Sequence, residues 1–162
     1  MSGARWGAGF AAVARFVGEI EAAAANSDQP NSAQLRPGYV LAGDEIFLLD
    51  RCRAAVLKAF VPPDLRDFCL SDLDLSSNSI FEVLDRAQTP SLMSPFQVIF
   101  IRNVRQLYTR GAKKEEFAAL DRYFHSPNPQ ALLLFISDFI RIPPDTRRME
   151  LDDKNQIGRA HV

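Results

Sequence analysis

Residues 84–103 (LDRAQTPSLMSPFQVIFIRN) constrain the fold of this chain more than any other stretch. They open as the end of a helix, break at Thr89-Pro90, and carry the apolar pair Leu92-Met93 between Pro90 and Pro95. Residues 98–101 (VIFI) follow. Four apolar residues without alternation are the pattern of a strand covered on both faces. A nucleotide-hydrolysing enzyme of this architecture places an acidic pair after that strand to hold Mg²⁺; this chain has Arg102-Asn103. An apolar tip next to a missing metal site points to a protein that grips a partner.

The 162 residues fit one domain, with enough chain to bury about two-thirds of its unfolded surface. A formal charge of -1 provides no general attraction for nucleic acid or an anionic membrane. No apolar run approaches the ~20 residues that span a bilayer. Arg15, Glu19 and Glu21 interrupt any signal-peptide core in the Ala-rich start. Cys52 and Cys69 fit no metal or redox spacing, so we expect reduced, buried cysteines of a cytoplasmic protein.

Along the chain, residues 10–25 read as a helix with Phe10, Val13, Val17 and Ile20 on one stripe. Residues 26–34 (NSDQPNSAQ) read as a flexible linker, which leaves that helix loosely attached. Residues 39–42 form the first buried strand and 46–60 a helix, its stripe Leu49, Cys52, Val56 and Phe60. Residues 68–70 are a candidate second strand. Ser76, Ser77 or Asn78 is placed to cap a helix over 79–87, whose packed face is Ile80, Val83, Leu84 and Ala87. The central strand spans 97–101, Gly111 marks a loop, 113–124 is amphipathic helix, and 131–136 (ALLLFI) is a further buried strand. Strand–helix alternation with apolar strands predicts an α/β fold, a parallel sheet flanked by helices.

No catalytic centre assembles from these residues. A phosphate-binding loop needs Gly-x4-Gly-Lys-[Ser/Thr], whereas Gly43-Asp44-Glu45 offers one glycine, two carboxylates and no lysine before Lys58. The carboxylates fit a helix start, where they complement its dipole. A receiver-like phosphoryl-transfer site also needs an aspartate after the central strand, and there is none. His125 and His161, the two histidines, form no pair, and Ser91, Ser94 and Ser137 lie in no nucleophile elbow. Arg102, Arg105 and Arg110 make a modest basic cluster, a solvated edge or a contact to DNA or a partner subunit. Leu92 and Met93 have two readings. They fold into the core between helix and sheet, or they protrude as a docking wedge. The prolines on either side, each lacking an N–H donor, and the small polar Ser91 and Ser94 favour a protruding tip.

Three ordered segments resemble the delta subunit of the bacterial DNA polymerase III clamp loader. Residues 39–49 (YVLAGDEIFLL) are similar to that family's YLLxGDExxLL. Residues 87–101 resemble its segment of the type ARTLPFFSERRLVVV, which leads into a buried strand and then Arg-Asn. Residues 120–135 (LDRYFHSPNPQALLLF) resemble L-xx-YL-xx-P-x-P-xxx-LLLV. The resemblance covers about a hundred residues, 37–137. It implies an AAA+/RecA-like, P-loop NTPase-like fold with a degenerate nucleotide site and no cofactor. It also implies a function, binding and opening the sliding clamp (the beta subunit) during DNA replication. The implied partners are that clamp, the other clamp-loader subunits and, through the assembled complex, primed DNA. Matched position by position, the clamp-binding wedge falls on Pro90, Leu92 and Met93. The family commonly has an aromatic at the last of these, so Met93 is a departure. A polymerase or nucleotidyltransferase label then belongs to the holoenzyme, with no catalytic residue in this chain. The alternatives are a degenerate nucleotide-binding or receiver-like α/β domain, and an unrelated interaction domain using the same tip.

The expected layout is an N-terminal helix and linker over 1–36, an AAA+-like clamp-binding domain over 37–145, and the start of a truncated following region over 146–155. Residues 156–162 (QIGRAHV) are expected to be non-native read-through, because one codon choice for them spells the start of a common sequencing-library adapter.

Overall fold

The computed structural model describes residues 9–25, 35–43, 45–107 and 113–138. The readings of the linker over 26–34, of Asp44, Arg110 and Gly111, and of everything after residue 138 fall outside the described residues.

Four strands, β1 (Gly38–Ala42), β2 (Leu70–Asp74), β3 (Gln97–Arg102) and β4 (Ala131–Ser137), form one sheet in the order β1-β4-β3-β2. Every pairing is parallel. The helices are α1 (Gly9–Ala25), α2 (Ile46–Phe60), the single turn α3 (Arg66–Cys69), α4 (Ile80–Gln88) and α5 (Lys114–His125). Short 3-10 turns at Pro63–Leu65 and Val104–Leu107 complete the elements of the described residues.

Side chains alternate across a strand, so the unbroken apolar runs of β3 and β4 feed two cores at once. Val98, Phe100, Leu132 and Leu134 pack with α1 and α2 on one face. Ile99, Ile101, Leu133 and Phe135 pack with α4 and α5 on the other. This is the α/β architecture that the apolar runs predict.

Three local expectations are corrected. Of the segment read as a strand over 68–70, Phe68 and Cys69 belong to α3, and Leu70 opens β2, which runs on to Asp74. Pro63 opens a 3-10 turn that runs into α3. β2 was hard to see because its Ser71, Asp72 and Asp74 are polar residues uncommon in strands. Among the described residues β2 pairs with β3 alone, and at this edge of the sheet it can carry them. Arg86 donates from Nε to Ser71 Oγ at 3.1 Å, and Asp72 accepts from Arg53 (3.1 Å) and from Arg102 (2.7 Å).

The cap of α4 is Ser79, not residues 76–78. Its hydroxyl accepts the Glu82 N–H at 3.2 Å while the Glu82 carboxylate accepts the Ser79 N–H at 2.6 Å. This reciprocal capping box satisfies two donors that the first helical turn leaves open.

The first helix is not loosely attached. Val13, Phe16, Ile20 and Ala23 of α1 are buried in the same core as α2. Phe16 meets Tyr39 edge-on at 5.0 Å, and the Tyr39 hydroxyl donates to Glu19 at 3.2 Å. Burial pushes the Tyr39 pKa up to about 12, so this donor keeps its proton at any ordinary pH.

Gly38 is required by close approach. A Cβ there would lie 2.8 Å from two ring carbons of Phe124.

Candidate functional site

In a parallel sheet all strands enter at one end and leave at the other, and each end of this one carries a candidate site.

Nucleotides in α/β folds bind at the carboxyl end of the sheet. Here Gly43 leaves β1 with φ 148°, a value side chains avoid, and its N–H donates to the Ser137 carbonyl at 3.0 Å. Glu45 caps α2 through its backbone, without a side-chain hydrogen bond, and its carbonyl accepts the N–H groups of Leu48 and Leu49. The first turn of α2 then presents Ile46 and Phe47 to solvent. Apolar side chains stand where a phosphate would need a lysine and a hydroxyl.

Across the same end, Arg102 and Asn103 are occupied with neighbours. Arg102 pairs with Asp72 and sits 3.8 Å from Asp74. Asn103 adopts φ 56°, a conformation Asn tolerates better than most residues, and its amide donates to Asp74 at 2.7 Å. Asp74 also accepts the hydroxyl and N–H of Ser76. These hydrogen bonds, the Ser76 hydroxyl foremost, draw the Asp74 carboxyl down to about 2. The arrangement closes the ends of β2 and β3 with protein groups. Among the described residues no cluster of His, Cys, Asp and Glu could hold a metal ion. His125, on the last turn of α5, hydrogen-bonds through its ring to the Asp121 carbonyl.

The tip lies at the opposite end, in the loop entering β3. Leu92 is completely exposed (relative exposure 101%) and Met93 is 57% exposed; Pro90 is exposed beside them. The alternative placement of Leu92 and Met93 inside the core is therefore excluded. The loop is nevertheless braced. Gln97 Nε2 donates to the Thr89 carbonyl at 2.5 Å, closing the loop from exit to entrance. Asn128 holds the end of α4 through the Ala87 carbonyl at 2.8 Å. Phe96 is buried against Phe60, ring centroids 5.0 Å apart.

The serines brace this tip from within. Ser91 Oγ accepts the N–H groups of Met93 (3.3 Å) and Ser94 (3.2 Å) and donates to the Phe68 carbonyl (3.4 Å). A hydroxyl has one proton and two lone pairs, so Ser91 uses its whole capacity. Ser94 is buried, with its hydroxyl donating to the Phe96 carbonyl at 2.8 Å. The reading of Ser94 as part of an exposed polar flank is corrected by that burial.

Sequence reasoning missed Phe68, which is 52% exposed on α3, because that segment was read as strand. It also singled out neither Ile46 nor Phe47, which stand outside the stripe Leu49, Cys52, Val56 and Phe60 and are exposed. Cys52 and Cys69 are buried free thiols. Burial pushes both upward, Cys52 to about 11.

With this geometry in place, the family comparison is decisive. A family model described as DNA polymerase III, delta subunit, matches residues 39–141. The chain belongs to that family. It is 25% identical over 132 residues to DNA polymerase III subunit delta of Bacillus subtilis (strain 168), covering 78% of this chain and 35% of the relative. The chain thus spans about a third of the length of that curated relative. It also matches the solved structure of the Bacillus subtilis DNA clamp loader delta protein (YqeN), with a TM-score of 0.63 and 21% identity. That match covers 87% of this chain and 40% of the other, and it supports the fold. The parallel α/β sheet described above agrees with that fold. No helix among the described residues is long and apolar enough to cross a membrane.

Proposed function

We propose that this chain is the sliding-clamp-binding part of a clamp-loader delta subunit and that it docks by inserting Leu92 and Met93, with Pro90, into an apolar pocket on the clamp. Insertion holds open a ring that is then loaded onto primed DNA. The work is mechanical, done by hydrophobic docking in the cytoplasm without a cofactor. The polymerase and nucleotidyltransferase activities belong to the complex. Contacts with the other clamp-loader subunits, and through them with primed DNA, are assigned to the full-length protein. Within the chain we assign clamp binding to residues 37–145.

One observation carries the reading: a fully exposed leucine and a largely exposed methionine at the tip of a loop whose hydrogen bonds are internally satisfied. A braced tip loses little conformational freedom on docking, so more of the burial free energy appears as affinity. Met, unbranched and polarizable, adapts to a partner's pocket.

The test is clamp binding by the wild-type chain and by Leu92→Ala/Met93→Ala, using the sliding clamp encoded in the same genome. Each side chain is worth roughly 1.5–3 kcal/mol when buried. The double variant should lose about 3–6 kcal/mol, on the order of a hundredfold to ten-thousandfold in affinity. Wild-type affinity in a folded double variant would refute the assignment.

A further inference from the structure

The docking surface does not end at the loop. α3 leads into β2 as the tip leads into β3, and β2 pairs with β3, so the two segments meet at the same end of the sheet. One side-chain contact joins them: Ser91 donates its only hydroxyl proton to the carbonyl of Phe68. Cys69 is buried, anchoring α3 in the core that holds Phe96 and Phe60. Phe68 faces the other way and leaves half its surface in water. A helical turn of only four residues has little stability of its own. It is held by this latch and by Cys69, and what it presents is an aromatic ring.

We infer that Phe68 is a third apolar contact of the docking surface, making it a composite of α3 and the loop, with Ser91 as the positioning residue that fixes one against the other. The inference rests on the clamp-docking reading of Leu92 and Met93. Its occupant is the same clamp, because the surface is continuous through the Ser91–Phe68 hydrogen bond. Aromatic side chains are enriched among the residues that dominate interface energetics, since they bury a large area with few rotatable bonds. Phe47, also exposed, follows β1 and so lies at the opposite end of the sheet. It serves as the control.

The experiment measures affinity for the clamp encoded in the same genome, and thermal melting, for five forms of this chain. These are wild type, Phe68→Ala, Phe68→Lys, Leu92→Ala/Met93→Ala and Phe47→Ala. We expect Phe68→Ala to bind roughly tenfold to hundredfold more weakly at an unchanged melting temperature, and Phe47→Ala to bind as wild type does. Phe68→Lys covers the case in which truncation disturbs α3, because the lysine stem still packs while its charge opposes burial. Wild-type affinity in either Phe68 variant, with binding lost in the Leu92/Met93 variant, overturns the composite surface and leaves the wedge standing. No binding by the folded wild-type chain overturns both.

Discussion

The same substitution placed at two leucines should have opposite consequences. Leu134 has 0% exposure in the middle of β4, in register with Tyr39 of β1 and Phe100 of β3. Leu134→Asp forfeits roughly 1.5–3 kcal/mol of apolar burial and places a carboxylate inside the apolar core around Phe100 and Leu132. An unpaired buried charge costs several kcal/mol more, or is avoided only by protonation at a comparable cost. The total, on the order of 5 kcal/mol or more, approaches the whole stability of a domain, about 5–15 kcal/mol. Leu92 touches almost nothing, so Leu92→Asp should stay within about 0.5 kcal/mol of wild type. Urea unfolding followed by circular dichroism measures both. Two results would refute the reasoning. One is a cooperative Leu134→Asp transition close to wild type, which would mean the core is misplaced. The other is a Leu92→Asp variant destabilised by more than about 2 kcal/mol, which would mean the tip packs against the body.

Three further perturbations probe the frame around the sites. Gly38→Ala pushes a methyl group against the Phe124 ring and should cost about 1–3 kcal/mol; Phe124→Ala in the same background should recover part of that loss in thermal melts. Ser79→Ala removes the capping box of α4 and should cost about 0.5–2 kcal/mol, read from the shift of the denaturation midpoint. The folded Asp74 carboxyl, at about 2, lies below its ordinary 3.8. Its stabilising contribution is therefore complete above the ordinary value and is lost as pH falls through about 2. Melting temperatures between pH 5 and pH 2 should fall more steeply for wild type than for Asp74→Asn; parallel curves would remove the role given to Asp74.

What was legible in the sequence followed the strength of its patterning. The runs VIFI and ALLLFI announced two-sided strands, and Ile80, Val83, Leu84 and Ala87 gave the inner face of α4 because they recur at helical spacing. β2 was obscured because an edge strand bonded to arginines can be polar, and single-strand composition does not reveal which neighbours it has. The cap of α4 is legible in Ser79 and Glu82, which stand three apart, although Ser76, Ser77 and Asn78 before them are equally good capping residue types. α1 looked detachable because the polar segment after it was read as a linker, while the apolar face that buries it is supplied by α2, far along the chain. At the tip, the prolines correctly signalled protrusion. The role of Ser91 was not legible: a serine between two prolines looks like surface, and only the fold brings the Phe68 carbonyl within its reach.

The two ends of the sheet bear on each other. At the carboxyl end, Arg102, Asn103 and Asp74 are engaged with one another, and Ile46 and Phe47 occupy the turn where phosphates would sit. On the reading proposed above no nucleotide binds at that end, so no ligand-driven closure passes a signal along β3. The proposed docking end must then be ready in advance. The structure meets that requirement locally: Gln97, the first residue of β3, closes the tip through Thr89, and Ser91 accepts the N–H groups of Met93 and Ser94. Removing the Ser91 hydroxyl should therefore weaken docking even though the residue buries no apolar surface. In clamp binding, Ser91→Ala should lower affinity without altering Leu92 or Met93, and Ser91→Thr, which keeps the hydroxyl, should restore part of it. Equal affinity for all three forms would mean that the tip organises itself only on contact with its partner.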